Sequence, residues 1–439
     1  MDQLSVLMGN TIAGTLTLGA NGHLTFTYDD AYRQHASATP ISLSMPLAVR
    51  AHADTAGRRT VNNFLRGLLP DDDEVRKRWA DFFQVRTAPF HLLGTPVGRD
   101  CAGAVSFCPQ EDVAGFLSRG GSVTPLAESD VAALIGDLRR DRTLVLGAHF
   151  EGEFSLAGAQ AKIALVYDEE SRAWGMPHGT AATNRILKPA SAGWTDQDVN
   201  EHLCLAAAGI AGIRTARSEI LVFGDHEVIA SDRYDRARGS DGFYRRIHQE
   251  DLCQAFGVGP DKKYEREGGP GIKAIASLFR RVMPRPAAEA AVRAFADALA
   301  WNWIIAGTDN HAKNYSLLLS RNDVRLAPVY DVSSMLPYLG TRSPVTGEVI
   351  QERRTRSAMK IGGHYEHVPV HNVWPHAARE LGLDPDRLVS RVRDLARVAS
   401  DAFSDAGRTR LTGALRRRLV GDLTDRVASR ADRCLNVLG

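Results

Sequence analysis

Residues up to about 110 are predicted to be mostly strands, because segments among them alternate apolar and polar side chains as strands with one buried face do. GTLTL (14–18) and HLTFTY (23–28) are separated by turn residues, which predicts a β-hairpin. VNNFLRGLLPDDDEVRKRWADFF (61–83) has helical periodicity on both sides of a Pro-Asp break. A further helix is predicted in TPLAESDVAALIGDLRR (124–140), capped by Ser129 or Asp130.

Strand patterns return between residues 154 and 235, with one helix predicted at 196–213 and a hairpin at 218–235. From about Gly239 the apolar spacing is chiefly helical, and we expect His248 and Gln249 to hold the start of a helix there. A β-rich part followed by a helical part predicts an α+β protein with two lobes and a cleft between them.

Composition adds little to this fold prediction, but it disfavours several classes of partner and site. The 54 basic and 52 acidic residues of 439 leave a net charge of +2, so nothing requires a polyanionic partner. The five cysteines are scattered without a CxxC pair, which disfavours a zinc site or a disulfide framework. We expect no signal peptide and no membrane span, and a reducing cytoplasm as the compartment.

The stretch GTDNHAKNYSLLL (307–319) places a polar cluster between an apolar helix and a strand. Asp309 and Asn314 form D-x-x-x-x-N, and a predicted hairpin then leads to a second acid, Asp331. This is the layout of a phosphotransferase catalytic loop with its metal-binding acid, because Mg²⁺ prefers carboxylate and amide oxygens. The alternative is a helix C-terminal loop with solvated polar side chains.

A phosphate-binding half is also predicted upstream. FSLAGAQAK (154–162) places small residues between strands, where backbone amides can approach phosphate oxygens. Lys188 ends an apolar strand and could pair with Glu201 on the next helix, although a solvent-facing lysine is the alternative. In IASDRYD, the residues from Asp232 to Tyr234 are candidates for an adenine-binding hinge or for a salt-bridged surface turn.

Taken in order, these segments resemble the HipA family of serine/threonine protein kinase toxins. The resemblance covers almost the whole chain through GTLTL, SLSMPL, FLRGLLPD, FSLAGAQAK, ILKP, NEHLCLAAA, SDRYDR, IHQEDLCQAFGV, KYEREGGPG, GTDNHAKNYSLLL, LAPVYDV and MKIGG. It implies an N-terminal subdomain at residues 1–145, a β-rich kinase-like lobe with the phosphate loop and hinge at 146–238, and an all-helical lobe with the catalytic loop at 239–439.

The resemblance also implies roles for individual residues. Asp309 would be the catalytic base, and Asn314 and Asp331 would bind Mg²⁺. Autophosphorylation would occur at Ser155, although an exposed serine that merely ends a strand is the alternative. The ATP site would be formed by Ala157, Gly158, Ala159, Gln160, Ala161, Lys162, Lys188, Asp232, Arg233, Tyr234, His311 and Tyr330.

Two positions depart from the usual pattern of the family. Asp232 stands where Glu is frequent, and Ala161 stands where a charged residue or proline is common; we expect neither to abolish activity. The family implies a DNA-binding HipB-like antitoxin as partner, contact with operator DNA mainly through it, and an aminoacyl-tRNA synthetase as substrate. A small-molecule phosphotransferase and an inactive pseudokinase acting only in a repressor complex are the alternatives.

Overall fold

The structure is a computed structural model of the 439-residue chain, and it describes residues 2–141, 158, 160–240, 242–408 and 414–438. Ser155, Ala157 and Ala159 lie outside the described residues.

The strands of the described residues, in chain order, are β1 (Gln3–Met8), β2 (Thr11–Leu18), β3 (Leu24–Tyr28), β4 (Ala51–Ala53), β5 (Val105–Pro109), β6 (Gly121–Leu126), β7 (Ile163–Asp168), β8 (Ala173–Gly179), β9 (Arg185–Lys188), β10 (Ser218–Phe223), β11 (His226–Asp232), β12 (Arg236–Arg238), β13 (Tyr244–Arg246), β14 (His248–Asp251), β15 (Ser316–Leu319), β16 (Val324–Leu326), β17 (Arg356–Ile361) and β18 (His364–Glu366).

The α-helices, likewise in chain order, are α1 (Asp30–Gln34), α2 (Thr60–Leu68), α3 (Asp73–Phe82), α4 (Pro89–Leu93), α5 (Val113–Arg119), α6 (Glu128–Arg140), α7 (Gln197–Ile210), α8 (Leu252–Phe256), α9 (Ile272–Val282), α10 (Arg285–Ile304), α11 (Val373–Leu381), α12 (Pro385–Gly407) and α13 (Ala414–Leu438).

The chain forms two compact units. The first comprises Met1–Pro189, Val222–Lys262 and Ser316–Val324, and the second comprises Ala190–Leu221, Lys263–Tyr315 and Arg325–Gly439. The three regions expected at 1–145, 146–238 and 239–439 stay predictions. Among the helices of the described residues, none combines the length and hydropathy that crossing a bilayer requires.

The first unit begins with an antiparallel sheet of order β4-β3-β2-β1-β5. The predicted hairpin is confirmed, because Leu18 pairs with Leu24 across the turn. Strand alternation buries Leu16 and Phe26 against helix α2, where the periodicity places Phe64. Gly14 permits this packing, since a Cβ atom there would lie 2.2 Å from the Thr27 carbonyl oxygen.

A second sheet has the order β10-β11-β9-β7-β8-β6, and β14, β15 and β16 form a third. Two predictions about helix starts are corrected here. The cap of α6 is Ala127, whose N–H donates to the Asp130 carboxylate at 2.9 Å, so Asp130 closes the first turn from inside the helix. His248 and Gln249 lie on β14, and Asp251 caps α8 by accepting from the Gln254 N–H.

The second unit is mainly helical, as the apolar spacing predicted. The expectation of an all-helical lobe at 239–439 is corrected, because these residues also form the strands from β13 to β18. Trp301 and Trp303 on α10 are core residues, and they are 1% and 2% exposed. Trp301 stacks on Phe403 of α12, and Trp303 meets Trp374 of α11 edge to face, with ring centroids 5.8 and 5.7 Å apart.

A buried carboxyl group joins the N-terminal segment to β14 inside the first unit. Glu250 is 1% exposed, its Oε2 lies 2.5 Å from the Ser42 hydroxyl, and its Oε1 accepts from the Leu43 N–H at 2.8 Å. Burial raises the pKa of Glu250 to about 8, although these two hydrogen bonds act in the opposite direction. The carboxyl group is therefore largely protonated at neutral pH.

We expect the Glu250→Gln variant to remove a pH dependence of stability. A carboxyl whose pKa rises on folding contributes stability that is complete below its ordinary pKa of 4.5 and is lost as the pH rises toward about 8. Over that range, the free energy of unfolding of the wild type should fall relative to Glu250→Gln, by at most about 1.4 kcal/mol per pH unit. Denaturant titrations across the range measure this difference, and a constant difference would contradict the assignment.

Candidate active site

The polar stretch begins directly after α10, and backbone geometry fixes its start. Ala306 has a positive φ of 54°, which is uncommon for a residue with a Cβ atom. The N–H of Gly307 then donates to the Asn302 carbonyl at 2.7 Å. A Cβ atom at Gly307 would lie 2.2 Å from the Asn302 side-chain oxygen, so any larger residue at this reversal would have to displace the Asn302 side chain.

The D-x-x-x-x-N spacing forms a closed loop around the carbonyl oxygen of Asp309. That oxygen accepts from the His311 N–H at 2.8 Å and from the Asn314 side-chain Nδ2 at 2.7 Å. The Asn314 N–H donates in turn to the His311 carbonyl at 2.9 Å. Because Nδ2 of Asn314 is used in this way, Oδ1 is the atom with which Asn314 could bind a cation.

The Asp309 carboxylate combines exposure with a fixed contact. Its side chain is 62% exposed, and Oδ1 accepts a hydrogen bond from the Tyr264 hydroxyl at 2.7 Å. His311 Nε2 lies 3.7 Å from the same oxygen. Burial lowers the pKa of His311 despite the opposing charge of Asp309, so the imidazole is neutral at neutral pH and no full ion pair forms.

Asp331 reaches the same region after the hairpin of β15 and β16, which the sequence predicted and the structure confirms. Its φ is 57°, a left-handed backbone that typically costs about 1–3 kcal/mol and is found preferentially at functional sites. The negative charge of Asp331 acts to raise the pKa of His311, opposing burial, which is a sign of proximity. The Tyr330 hydroxyl donates to the Lys313 carbonyl at 2.7 Å, which ties this segment to the loop.

The second unit therefore brings together five of the predicted residues: Asp309, His311, Asn314, Tyr330 and Asp331. Among the described residues, no group of three or more His, Cys, Asp and Glu side chains is arranged to hold a metal. A cation here would instead use the oxygens of Asn314 and Asp331. One amide and one carboxylate oxygen fit Mg²⁺, which usually keeps several of its waters as ligands.

The predicted phosphate-binding residues belong to the first unit. Lys188 lies on β9, where it pairs with Ile229 of β11 and is only 8% exposed, so the alternative of a solvent-facing lysine is wrong. Gly158 has a φ of 108°, and its carbonyl accepts from the Asp71 N–H at 3.2 Å. The Gln160 side chain donates to the Pro189 carbonyl at 3.0 Å. Pairing of Lys188 with Glu201, which is buried on α7, stays a prediction.

The predicted hinge residues differ from one another in environment. Asp232 ends β11 and forms an ion pair with Arg185 at 2.6 Å, and the Tyr234 hydroxyl donates to the Gln249 side chain. The backbone N–H of Arg233 donates to the Asn184 carbonyl at 2.9 Å.

The guanidinium of Arg233 is not at the surface, so a salt-bridged surface turn is the wrong description of it. It is 1% exposed and donates to the Asp235 carboxylate at 2.9 and 3.1 Å. The Asp100 carboxylate completes the cluster, with contacts to Arg233, Arg236 and Arg246 at 3.4, 2.8 and 3.1 Å. Burial alone would raise the pKa of Asp100, but these three arginines hold it well below its usual range. The Arg233 side chain thus stabilises the first unit.

No role was predicted from the sequence for two residues that hold the loop in place, Tyr264 and Asn310. Asn310 is 3% exposed, and its side-chain oxygen accepts from the Ser357 hydroxyl at 2.9 Å and the Ala358 N–H at 3.0 Å. These bonds attach the loop to β17. No local signal identifies either residue, because each contact joins segments more than 40 positions apart.

Two protein-family models match this chain. The HipA-like C-terminal domain matches residues 154–403, which is more than half of the chain, and the HipA N-terminal domain matches residues 4–108. The chain belongs to the HipA family. It is 32% identical over 404 residues to Y4mE of Sinorhizobium fredii, with 91% of each protein covered.

A second relative and a solved structure are also similar to this chain. The serine/threonine-protein kinase toxin HipA of Shewanella oneidensis is 26% identical over 415 residues, covering 92% of this chain and 88% of that protein. A chain in the solved complex of Shewanella oneidensis HipA, HipB and operator DNA aligns with a TM-score of 0.81 at 22% identity, over 99% of this chain and 98% of that one. This likeness confirms the predicted α+β, kinase-like fold class.

Proposed function

We propose that this HipA-family chain is an ATP- and Mg²⁺-dependent serine/threonine protein kinase that acts as the toxin of a HipBA-like toxin-antitoxin module. The observation that carries the proposal is the loop from Asp309 to Asn314. It presents an exposed carboxylate beside an amide whose oxygen can bind a cation, on a backbone fixed by hydrogen bonds. Phosphoryl transfer depends mainly on such positioning and on electrostatic stabilisation.

In the proposed mechanism, Asp309 orients the acceptor hydroxyl and accepts its proton. Asn314 and Asp331 would hold Mg²⁺, which supplies charge neutralisation on the phosphates. Lys188 and the backbone of residues 157–162 would contact the phosphates. The remaining nucleotide contacts would come from the Asp232–Tyr234 backbone and from His311 and Tyr330.

The partners are proposed from the relationship to HipA proteins. The Shewanella oneidensis relative is found in a complex with HipB and operator DNA, which supports a HipB-like antitoxin for this chain and contact with DNA mainly through it. We propose an aminoacyl-tRNA synthetase as the substrate, so that phosphorylation would inhibit translation and cause dormancy, and we propose the cytoplasm as the compartment.

The Asp309→Asn variant should lose about 10²–10⁴-fold in the rate of phosphate transfer, since a positioned acid-base group is removed. It should remain folded, because the side chain is 62% exposed. Asp401→Asn, the same change at an exposed position of α12, is the matched control. Rates with radiolabelled ATP and far-UV circular dichroism of all three proteins test this, and a wild-type rate in Asp309→Asn would disprove the assignment.

Asp331→Asn should weaken the Mg²⁺-dependent part of ATP binding by about tenfold or more, because it removes a carboxylate ligand. Asparagine tolerates the left-handed backbone observed at this position, so the substitution changes charge without adding strain. Calorimetric titration with ATP in the presence and absence of Mg²⁺ gives the two affinities. If Mg²⁺ strengthened ATP binding equally in variant and wild type, Asp331 would not be a metal ligand.

Ser155 is proposed as the autophosphorylation site and as an off switch. A phosphate adds about −1.5 to −2 charges next to the loop that would bind the nucleotide phosphates, so it should weaken ATP binding. After incubation with ATP and Mg²⁺, mass spectrometry should locate phosphate on Ser155, and the modified protein should bind ATP more weakly than Ser155→Ala. Active protein without this modification, or phosphorylated protein with unchanged ATP affinity, would reject the switch.

A further inference from the structure

The contact between Tyr264 and Asp309 has no role in the proposed mechanism, although it involves the central carboxylate. The Tyr264 hydroxyl donates to Asp309 Oδ1 at 2.7 Å, with a geometry that an acceptor hydroxyl would also use. The edge of one ring meets the face of the other between Tyr264 and His311, with centroids 5.2 Å apart. The neighbouring Lys263 carbonyl accepts from the Ala312 N–H at 3.2 Å. The tyrosine is thus held against three positions of the loop.

Strand β17 anchors both the segment that carries Tyr264 and the loop that carries Asp309. The Glu265 carboxylate accepts from the Lys360 N–H at 2.6 Å, which attaches the tyrosine segment to β17. Asn310 attaches the loop to the same strand through Ser357 and Ala358. Because both segments are anchored on one strand, the hydrogen bond between Tyr264 and Asp309 is part of a closed framework.

Two cations lie against the tyrosine ring. The Arg266 guanidinium carbon is 5.1 Å and the Lys263 Nζ is 5.6 Å from the ring centroid, within the range of cation–π interactions. Positive charge beside a phenol makes its hydroxyl a stronger hydrogen-bond donor, and a donor to a charged acceptor forms one of the stronger hydrogen bonds in proteins.

We infer that Tyr264 is a positioning residue for phosphate transfer: its hydroxyl holds Oδ1 of Asp309 and thereby leaves Oδ2 oriented to accept the proton of the acceptor hydroxyl. This inference rests on the proposed function, because it assigns Asp309 the role of base. Proton transfer requires the Asp309 carboxylate to be held in one orientation. Because the side chain is largely exposed, the hydrogen bond from Tyr264 is an important restraint on that orientation.

The free protein offers a first readout, which is independent of turnover. Burial raises the pKa of Tyr264, and the negative charge of Asp309 and the hydrogen bond to it raise it further, with smaller effects from Glu267 and, in the opposite direction, Arg266. Lys263 and the neutral ring of His311 also face the phenol. The Tyr264 phenol should therefore ionise at lower pH in Asp309→Asn than in the wild type.

Because burial holds the pKa of Tyr264 far above its ordinary value in both proteins, the contact is read at neutral pH from the NMR chemical shift of the labelled tyrosine Cζ carbon, with Tyr264→Phe identifying the resonance. The shift should differ between the wild type and Asp309→Asn, since the phenol loses its charged acceptor. An identical shift in the two proteins would show that the contact does not exist in solution, and would overturn the inference.

The kinetic test compares Tyr264→Phe with the wild type, Asp309→Asn and the control Tyr365→Phe. Tyr264→Phe should lower kcat by about 10- to 100-fold, the effect of losing a hydrogen bond to a charged group, with the KM for ATP unchanged. Tyr365→Phe removes a hydroxyl from β18 and should leave both parameters unchanged.

The outcomes separate the two proposals. A wild-type kcat in Tyr264→Phe together with an inactive Asp309→Asn would overturn the positioning role and leave the proposed function intact. A raised KM with unchanged kcat would also overturn it, because Tyr264 would then act in binding. Full activity in Asp309→Asn would overturn the proposed function and, with it, the role of Tyr264.

Discussion

The candidate active site depends on one backbone oxygen. The carbonyl of Asp309 accepts hydrogen bonds from the His311 backbone and the Asn314 side chain, and these two bonds fold the six residues from Asp309 to Asn314 into a closed loop. Without them, the backbone between the carboxylate and the amide would lose the hydrogen bonds that close it on itself. The positive φ of Ala306 and the fit of glycine at position 307 set the direction in which the chain enters this loop. These local hydrogen bonds thus explain why the spacing of Asp309 and Asn314 in the sequence places the two residues close together in the structure.

Within the first unit, charged side chains stabilise the fold instead of forming a candidate active site. Asp100 and Asp235 are buried with three arginines in one cluster, whose members come from segments more than 130 positions apart. Removing one partner of such a cluster typically costs about 3–5 kcal/mol, because the others are left buried and unpaired. The cluster fixes the chain around residues 233–236, which follow directly on β11, the strand that pairs with Lys188. Replacing Arg233 should therefore lower the stability of the first unit, and an effect on nucleotide binding could not be separated from that loss.

The sequence predicted those features that depend on short-range pattern. Alternation identified the hairpin of β2 and β3, helical spacing identified α10, and the spacing of Asp309 and Asn314 identified the loop. What it missed depends on tertiary contact. Tyr264 reaches Asp309 across 45 positions. Arginine is usually found at the surface of a protein. Only the fold shows that the Arg233 guanidinium is buried and that the carboxylates of Asp100 and Asp235 balance its charge. His248 and Gln249 were assigned to a helix start because a strand of four residues has too short a pattern to be distinguished.

The central claim is that this chain transfers phosphate from ATP to a protein hydroxyl in a metal-dependent reaction. The most direct measurement incubates the purified chain with ATP labelled at the γ-phosphate and a cytoplasmic extract, with Mg²⁺ and with Mg²⁺ removed by a chelator, and identifies the labelled products. We expect label on serine or threonine of the chain itself and of an extract protein, and only when Mg²⁺ is present. Label confined to small molecules, equal labelling in the presence of the chelator, or binding of ATP without any transfer would contradict it.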